Sequence, residues 1–207
     1  MSDQLQTLQQ DISFLKALAL EGRSPAMLGG STLVAAGSVY GVVSIGDWAI
    51  LQGYVPVASP WAIPSLWIGA TVIFIALTAF ISRRLRERKP VTSPATRAAA
   101  RAWQGVGWAI FTLWACMAIV AWRVHSDIPL LLFPSIILAL YGTAWTVALE
   151  VLQVGWVRLA AMGSYAAAIL SALFCTSPTV FLVFAAALIL LVIAPGAAMI
   201  RRARAAG

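Results

Sequence analysis

Long apolar runs separated by short polar segments dominate the chain from about residue 27 onward. An α-helix needs about 20 mostly apolar residues to cross the hydrocarbon core of a bilayer. A charge at mid-bilayer costs roughly 2.5–3.5 kcal/mol on insertion scales, so charge-free runs mark the candidate spans. The runs are continuously apolar and lack the period-two alternation of a membrane β-barrel. Helices are therefore expected, because each segment must satisfy its own backbone hydrogen bonds in lipid.

These runs predict an all-α, polytopic membrane helix bundle with six transmembrane helices. The second run is shortened at its start by Pro56, Pro60 and Pro64. The last run is long enough for two spans, and the polar cluster at residues 176–179 divides it. The predicted spans cover residues 27–46, 65–81, 103–122, 129–149, 158–175 and 179–200.

The segment before the first span has a different pattern, which predicts a cytoplasmic amphipathic helix over residues 1–22. Its apolar residues recur at spacings of three and four, so they share one face. They are Leu5, Leu8, Ile12, Leu15 and Ala19. Such a helix either docks on a partner or a second copy, or lies on the lipid interface. Because this segment lacks the apolar core and cleavage site of a signal peptide, the first span is expected to direct insertion. The sequence thus divides into this helix and a membrane domain over residues 23–207.

Composition supports a membrane protein and argues against nucleic acid as a partner. Hydrophobic residues make up 61% of the chain and charged residues 10%, whereas a soluble domain averages roughly 45–50% and about 25%. The net charge of +7 comes from arginines that flank apolar runs. A nucleic-acid-binding protein would present its basic residues on a polar folded unit. The lipid bilayer is the expected partner.

The distribution of basic residues predicts the orientation of the spans. With six spans, 13 of the 14 lysines and arginines fall on one side of the membrane, and Arg123 falls on the other. Basic residues in short loops remain in the cytoplasm. This asymmetry therefore predicts a multi-pass inner-membrane protein with both termini in the cytoplasm.

One cytoplasmic loop concentrates these basic residues and is a candidate docking surface for lipid or a partner. Each basic residue near anionic lipid contributes about 1 kcal/mol. The basic side chains that are candidates for docking are Arg83, Arg84, Arg86, Arg88 and Lys89. They fix the topology through lipid headgroups or bind an acidic partner.

No motif for catalysis, a cofactor or a metal emerges from the residue types present. His125 is the single histidine, and Lys16 and Lys89 both lie outside the predicted spans. Cys116 and Cys175 have no metal-ligand spacing around them. Zinc catalysis, haem held by two histidines and a retinal Schiff base therefore lack their residues. We expect a protein that is not an enzyme and that carries no cofactor.

Four ionisable residues near the predicted span ends are candidate functional residues, because such groups are rare in membranes. Glu150 follows the fourth span and either pairs with Arg158 at the interface or couples to an ion. Asp47 is expected at the outer interface after the first span. His125 and Asp127 lie with Arg123 in an outer loop and could respond to pH.

Small residues and prolines indicate where helices pack and bend. Gly37 and Gly41 form a G-x-x-x-G pattern in the first span, and Gly163 belongs to similar patterns in the fifth. Pro134 and Pro195 should kink the fourth and sixth spans.

Two hypotheses about function follow. The leading one is a non-enzymatic regulatory, sensory or accessory subunit, as a homo-oligomer or with a membrane or cytoplasmic partner. The alternative is a small-solute or ion transporter built as an inverted three-plus-three helix repeat. The repeat is suggested by Tyr40-Gly41 before Leu51-Gln52 and Tyr141-Gly142 before Leu152-Gln153. Burial of Glu150 in a polar cavity would favour the transporter.

Overall fold

The computed structural model describes residues 23–57, 59–86, 94–152 and 154–205, and within them the regular secondary structure is entirely helical. The helices are α1 (Arg23–Leu51), α2 (Ala62–Arg86), α3 (Pro94–Val124), α4 (Ile128–Leu152), α5 (Gly155–Leu173) and α6 (Thr179–Ala205). All six are long and apolar enough to cross a membrane. The predicted all-α bundle with six membrane helices is confirmed. The predicted helix at residues 1–22 lies outside the described residues.

Most helices extend beyond the predicted spans, and two of these differences lie on the connection between α1 and α2. α1 continues past the predicted end at Gly46 to Leu51. It stops where Gly53 adopts a left-handed backbone with φ of 78°, a conformation that glycine reaches without steric cost. α2 begins at Ala62 rather than Ser65. Pro64 fits its first turn, because the backbone nitrogens there have no intrahelical acceptor.

The six helices form a connected array with α6 near its centre. α1 packs against α2 and α6, α4 packs against α3 and α5, and α6 also contacts α4 and α5. The core is built mainly from α4, α5 and α6, around fully buried Leu138, Trp145, Val157, Leu188 and Val192. α2 and α3 form the two flanks, and each packs closely against one neighbour.

A π-helical turn at Ile189–Ile193 interrupts α6, between α-helical segments Thr179–Leu188 and Ala194–Ala205. Pro195 explains its position. A proline inside a helix provides no N–H for the carbonyl four residues earlier, here Leu191, and its ring clashes with that carbonyl. Widening the turn relieves the clash. The irregularity predicted at Pro195 is therefore a π-turn just before the proline.

The contact between α1 and α6 depends on two glycines that face each other. A Cβ atom added to Gly30 would lie 2.7 Å from the carbonyl oxygen of Gly196, and one added to Gly196 would lie 2.8 Å from that of Gly30. Both distances are too short for real atoms, so the two backbones approach this closely only because both residues lack a side chain. The pair joins the start of α1 to the last part of α6, and the two helices run antiparallel.

The arginine-bearing helix ends lie together at one end of the bundle. Arg202 at the end of α6 lies over the ring of Trp156 at the start of α5, 5.8 Å from its centroid. Trp103 near the start of α3 contacts Trp145 in the last part of α4. Trp67 near the start of α2 contacts Phe181 near the start of α6 at the opposite end. The end of α2, with Arg83 and Arg84, therefore shares the end of the bundle where α6 finishes.

Candidate functional site: a buried carboxylate between the first, second and sixth helices

Among the described residues, Asp47 is the one charged residue that is buried, and 1% of its surface is exposed. The indole Nε1–H of Trp67 on α2 donates a 2.9 Å hydrogen bond to its Oδ2 atom. Its other oxygen, Oδ1, is also buried and has no hydrogen-bond partner among the described residues. Leaving a buried polar atom unpaired costs about 1–3 kcal/mol, and more when the group is charged. The fold thus provides a hydrogen-bond donor for one oxygen of this carboxylate, while the other oxygen has none among the described residues.

Aromatic rings pack around the indole that donates to this carboxylate. The ring of Trp67 stacks on Tyr40 with centroids 6.2 Å apart, and it also contacts Phe181 of α6 at 6.3 Å. Tyr40 contacts Phe74 in turn, at 5.6 Å. Rings from α1 and α6 therefore pack on Trp67 of α2 and fix its orientation toward Asp47. Ring pairs at these distances add about 0.5–1.5 kcal/mol each beyond the area they bury.

Polar groups continue from Asp47 along the seam between α1 and α2. Tyr40, Ser44 and Asp47 share one face of α1, because their spacings of four and three bring them around the same side. The hydroxyl of Ser44, fully buried, donates to the carbonyl of Tyr40 at 2.7 Å. The hydroxyl of Tyr40 donates to Thr71 across the seam at 3.4 Å. Further along α2, the buried Oγ1 of Thr78 has no partner among the described residues.

The sequence interpretation ended the first span before Asp47 and expected this residue at the outer interface; the structure places it within a helix and covers it with two others. The rule that a charge ends a span misplaced the boundary, because Asp47 lies inside α1 about one turn before its end at Leu51. Its burial arises from α2 and α6, which the local sequence does not reveal. A signal was nevertheless present in the spacing of Tyr40, Ser44 and Asp47 on one helical face.

Glu150 lies elsewhere and has a different environment. It is exposed in the last turn of α4, and Arg158 is exposed on the first part of α5. α1 and α4 do not pack closely together. The buried polar cavity between the first and fourth spans, which would have favoured Glu150 as a coupling residue, is not formed around it. Its exposure fits the interfacial alternative for this carboxylate.

Arg123 in the last turn of α3 and His125 and Asp127 in the turn that follows it are all exposed. His125 has a left-handed backbone with φ of 51°, which is uncommon for a residue other than glycine. The backbone N–H of Ile128 donates to Ser126 Oγ at 3.4 Å, and the carbonyl of Asp127 accepts from Leu130 and Leu131 as α4 begins. These contacts give the turn a role in starting α4. The response to pH remains a prediction.

The three predicted packing glycines have different environments. A Cβ on Gly37 would lie 2.5 Å from Ile193 Cγ1, and one on Gly163 would lie 2.7 Å from Leu191 Cδ2. Both glycines therefore face the π-turn of α6, from α1 and α5. Gly41 differs, since an added Cβ would meet nothing within 4 Å. Sequence reasoning did not identify the backbone-to-backbone contact between Gly30 and Gly196.

A second tryptophan hydrogen bond reaches the π-turn of α6 from α4. The Nε1–H of Trp145, 1% exposed, donates to the carbonyl of Leu191 at 3.1 Å. This is the carbonyl whose helical donor Pro195 removes. Trp103 and Trp156 pack edge-on against Trp145, at 5.4 and 6.1 Å between centroids. The sequence around Trp145 does not indicate this partner.

The basic docking candidates are described only in part. Arg83 and Arg84 are exposed at the end of α2, and the Arg84 guanidinium lies 4.9 Å from the ring centroid of Phe80. Arg86 is the last residue of α2, and its side chain lies outside the described part. Arg88 and Lys89 lie outside the described residues altogether. Docking of lipid or a partner at this segment remains a prediction.

The fold and the buried carboxylate define a class: a multi-pass α-helical integral membrane protein with an ionisable residue inside its bundle. No family model, no curated protein and no solved structure matches this chain. Its function must therefore be inferred from the arrangement of its own residues.

Proposed function

We propose that this chain is a non-enzymatic component of the inner membrane, with both termini in the cytoplasm, that acts as a regulatory, sensory or accessory subunit. The observation that carries the proposal is the unequal packing of its helices. In α2 and in α3, 6% of the most apolar stretch is buried, against 33% to 50% in the other four. Helices associate in lipid through close packing on small residues, and these two flanking helices leave most of their surface free for a partner.

The exposed surfaces of these flanks carry large apolar and aromatic side chains. On α3 they include Trp108, Phe111 and Trp114, and on α2 they include Ile68 and Val72. Aromatic residues are enriched where proteins contact one another. A subunit that binds neighbours through α2 and α3 would use these faces, and its cytoplasmic arginine end would face regulatory partners.

The proposed orientation is supported by the clustering of arginines at one end of the bundle. Arg83, Arg84, Arg101 and Arg158 share that end with the arginines that finish α6, and all are exposed. Cytoplasmic loops carry an excess of arginine and lysine. Reporter fusions after Ala58 and Asp127 should report the outside, and fusions after Ala95 and at Gly207 the inside. An outside signal at Ala95 would contradict the orientation.

Photo-crosslinking in intact membranes tests the subunit proposal. A photoreactive residue replaces Val72 on α2 or Phe111 on α3, with Met162 on α5 as the matched control, since their exposures are 61%, 61% and 64%. Discrete adducts of the same protein mass are expected from Val72 or Phe111, and lipid adducts alone from Met162. Lipid adducts alone at all three positions would contradict the proposal.

A transporter is the second candidate, because the helix contacts have an approximate internal symmetry. Exchanging α1 with α4, α2 with α5 and α3 with α6 maps the α1–α2 contact onto α4–α5, and the α1–α6 contact onto α4–α3. Inverted repeats of this kind build many transporters. The symmetry is incomplete, since α5 packs closely on α6 while α2 and α3 do not pack closely. A solute-dependent proton current in liposomes that carry the purified protein would favour this candidate.

A further inference from the structure

The environment of Asp47 lacks a group that compensates its negative charge. The partner of its carboxylate in the described bundle is the Trp67 indole, a neutral donor to Oδ2, while Oδ1 is buried without a partner. An isolated ionised carboxylate in an apolar surrounding is far more costly than a neutral one. The Trp67 indole needs only a neutral acceptor, so this hydrogen bond does not explain why the acceptor is a carboxylate.

The charged and titratable groups around Asp47 are too remote to compensate it. On α1, Tyr40 lies about two turns away on the same face. Trp67 of α2 donates to Asp47, and Phe181 of α6 packs on that indole; neither side chain titrates. The arginines of α2 and α6 lie at the opposite end of the bundle, at Arg83 and Arg84 and at Arg201, Arg202 and Arg204.

The space around Asp47 limits what can bind there. A cleft of about 510 Å³ lies between α1 and α2, but it is lined by apolar residues and two serines, and Asp47 does not line it. A metal ion needs several oxygen, nitrogen or sulfur ligands. In the described bundle, no group of three histidine, cysteine, aspartate or glutamate residues is positioned to hold one. A proton requires neither a cavity nor additional ligands.

We propose that Asp47 is a proton-binding site, in which Oδ1 accepts a proton while Trp67 continues to donate to Oδ2. The proton comes from the aqueous phase at the end of the bundle opposite the arginines. α1 ends about one turn beyond Asp47, and residues 51–57 after it are exposed, so the path to water is short. Binding neutralises the carboxylate, and release leaves a buried charge between α1, α2 and α6. The α1–α2–α6 contact therefore differs between the two states. This assignment holds whether the chain is a regulatory subunit or a transporter.

Infrared difference spectroscopy of the full-length protein in lipid nanodiscs tests the proposal. Spectra recorded across a pH series should contain the carbonyl band of a protonated carboxylic acid in an apolar environment. That band should be lost in Asp47→Asn and should shift in Trp67→Phe, since the hydrogen bond to Oδ2 is then absent. Asp127→Asn is the matched control, because Asp127 is an exposed aspartate at the same end of the bundle. The band should persist in this variant.

Isotope labelling keeps the test decisive if Asp47→Asn does not fold. Aspartate labelled at its carboxyl carbon should shift the band in the unmodified protein and in Asp127→Asn, and labelled glutamate should leave it in place. Persistence of the band in folded Asp47→Asn would overturn the proposal. The proposal would also be overturned if Asp47 stayed ionised across the pH series and its carboxylate bands responded to sodium or potassium. The site would then bind a metal cation.

Discussion

Two tryptophan side chains, one in each half of the molecule, make the same kind of hydrogen bond to very different acceptors. Trp145 of α4 donates at 3.1 Å to the backbone carbonyl of Leu191. Trp67 of α2 donates at 2.9 Å to the carboxylate of Asp47. Both indoles sit among other aromatic rings, and both hydrogen bonds join different helices.

The difference lies in whether the fold explains the acceptor. The Leu191 carbonyl needs a donor because Pro195 removes the helical one, and a buried carbonyl without a donor is unfavourable. Trp145 therefore completes the backbone hydrogen bonding of α6. Asp47 accepts from the Trp67 indole but repairs no backbone defect, and its own Oδ1 remains unpaired in the described bundle. A buried hydrogen bond that supplies a missing backbone partner indicates a structural role. A buried carboxylate that keeps an unpaired oxygen indicates a functional role.

The largest effect is expected from Trp145→Phe. The change removes the donor to Leu191 and leaves space beside Trp103 and Trp156, so the free energy of unfolding should fall by about 2–4 kcal/mol. Chemical denaturation in detergent micelles measures it. Trp114→Phe is the control, because Trp114 is 45% exposed, and its loss should stay below about 0.5 kcal/mol. Equal losses would show that the Leu191 bond contributes little.

Trp67→Phe should reduce the free energy of unfolding by about 1–3 kcal/mol, because both oxygens of Asp47 are then unpaired. The same change in an Asp47→Leu background should cost less, since no buried carboxylate remains to lose its donor. Denaturation of the two single variants and the double variant gives the coupling between the residues. If the losses of stability in the two single variants add up to the loss in the double variant, the hydrogen bond between the two residues does not contribute to stability.

Pro195→Ala sharpens the comparison, because it supplies the missing N–H to Leu191. The cost of Trp145→Phe should then fall by about 1 kcal/mol, which is the typical net contribution of one hydrogen bond. The cost of Trp67→Phe should stay unchanged in the same background, which provides the internal control. If Pro195→Ala leaves the Trp145→Phe cost as it was, the proline is not the reason for that bond.

Asp47→Asn should have the smallest effect, a change of less than about 1 kcal/mol in the free energy of unfolding. The amide oxygen can still accept from Trp67, and the substitution removes an uncompensated buried carboxylate. Asp47→Ala should cost more, because it leaves the indole N–H of Trp67 without an acceptor. If Asp47→Asn destabilises the protein as much as Asp47→Ala, the carboxylate itself stabilises the fold.

The local sequence was sufficient for the six membrane helices and for the irregularity in α6. Each span is an apolar run bounded by charge or turn residues, and lipid forces such a run to form a helix regardless of its neighbours. Pro195 likewise acts on its own helix, so its effect could be placed before any tertiary contact was known. The boundary of α1 was misplaced because a charge inside a run does not end a helix when another helix covers it.

Tertiary structure alone decided which residues meet. Gly37 and Gly41 are equivalent in sequence pattern, yet only Gly37 faces α6 closely. Glu150 and Asp47 both followed predicted spans, yet Glu150 is exposed and Asp47 is buried beneath Trp67. Helical periodicity gives the face on which a side chain lies, but the helix that covers that face is set by packing across the whole bundle. For that reason the sequence determined the spans, and the contacts between helices determined the site.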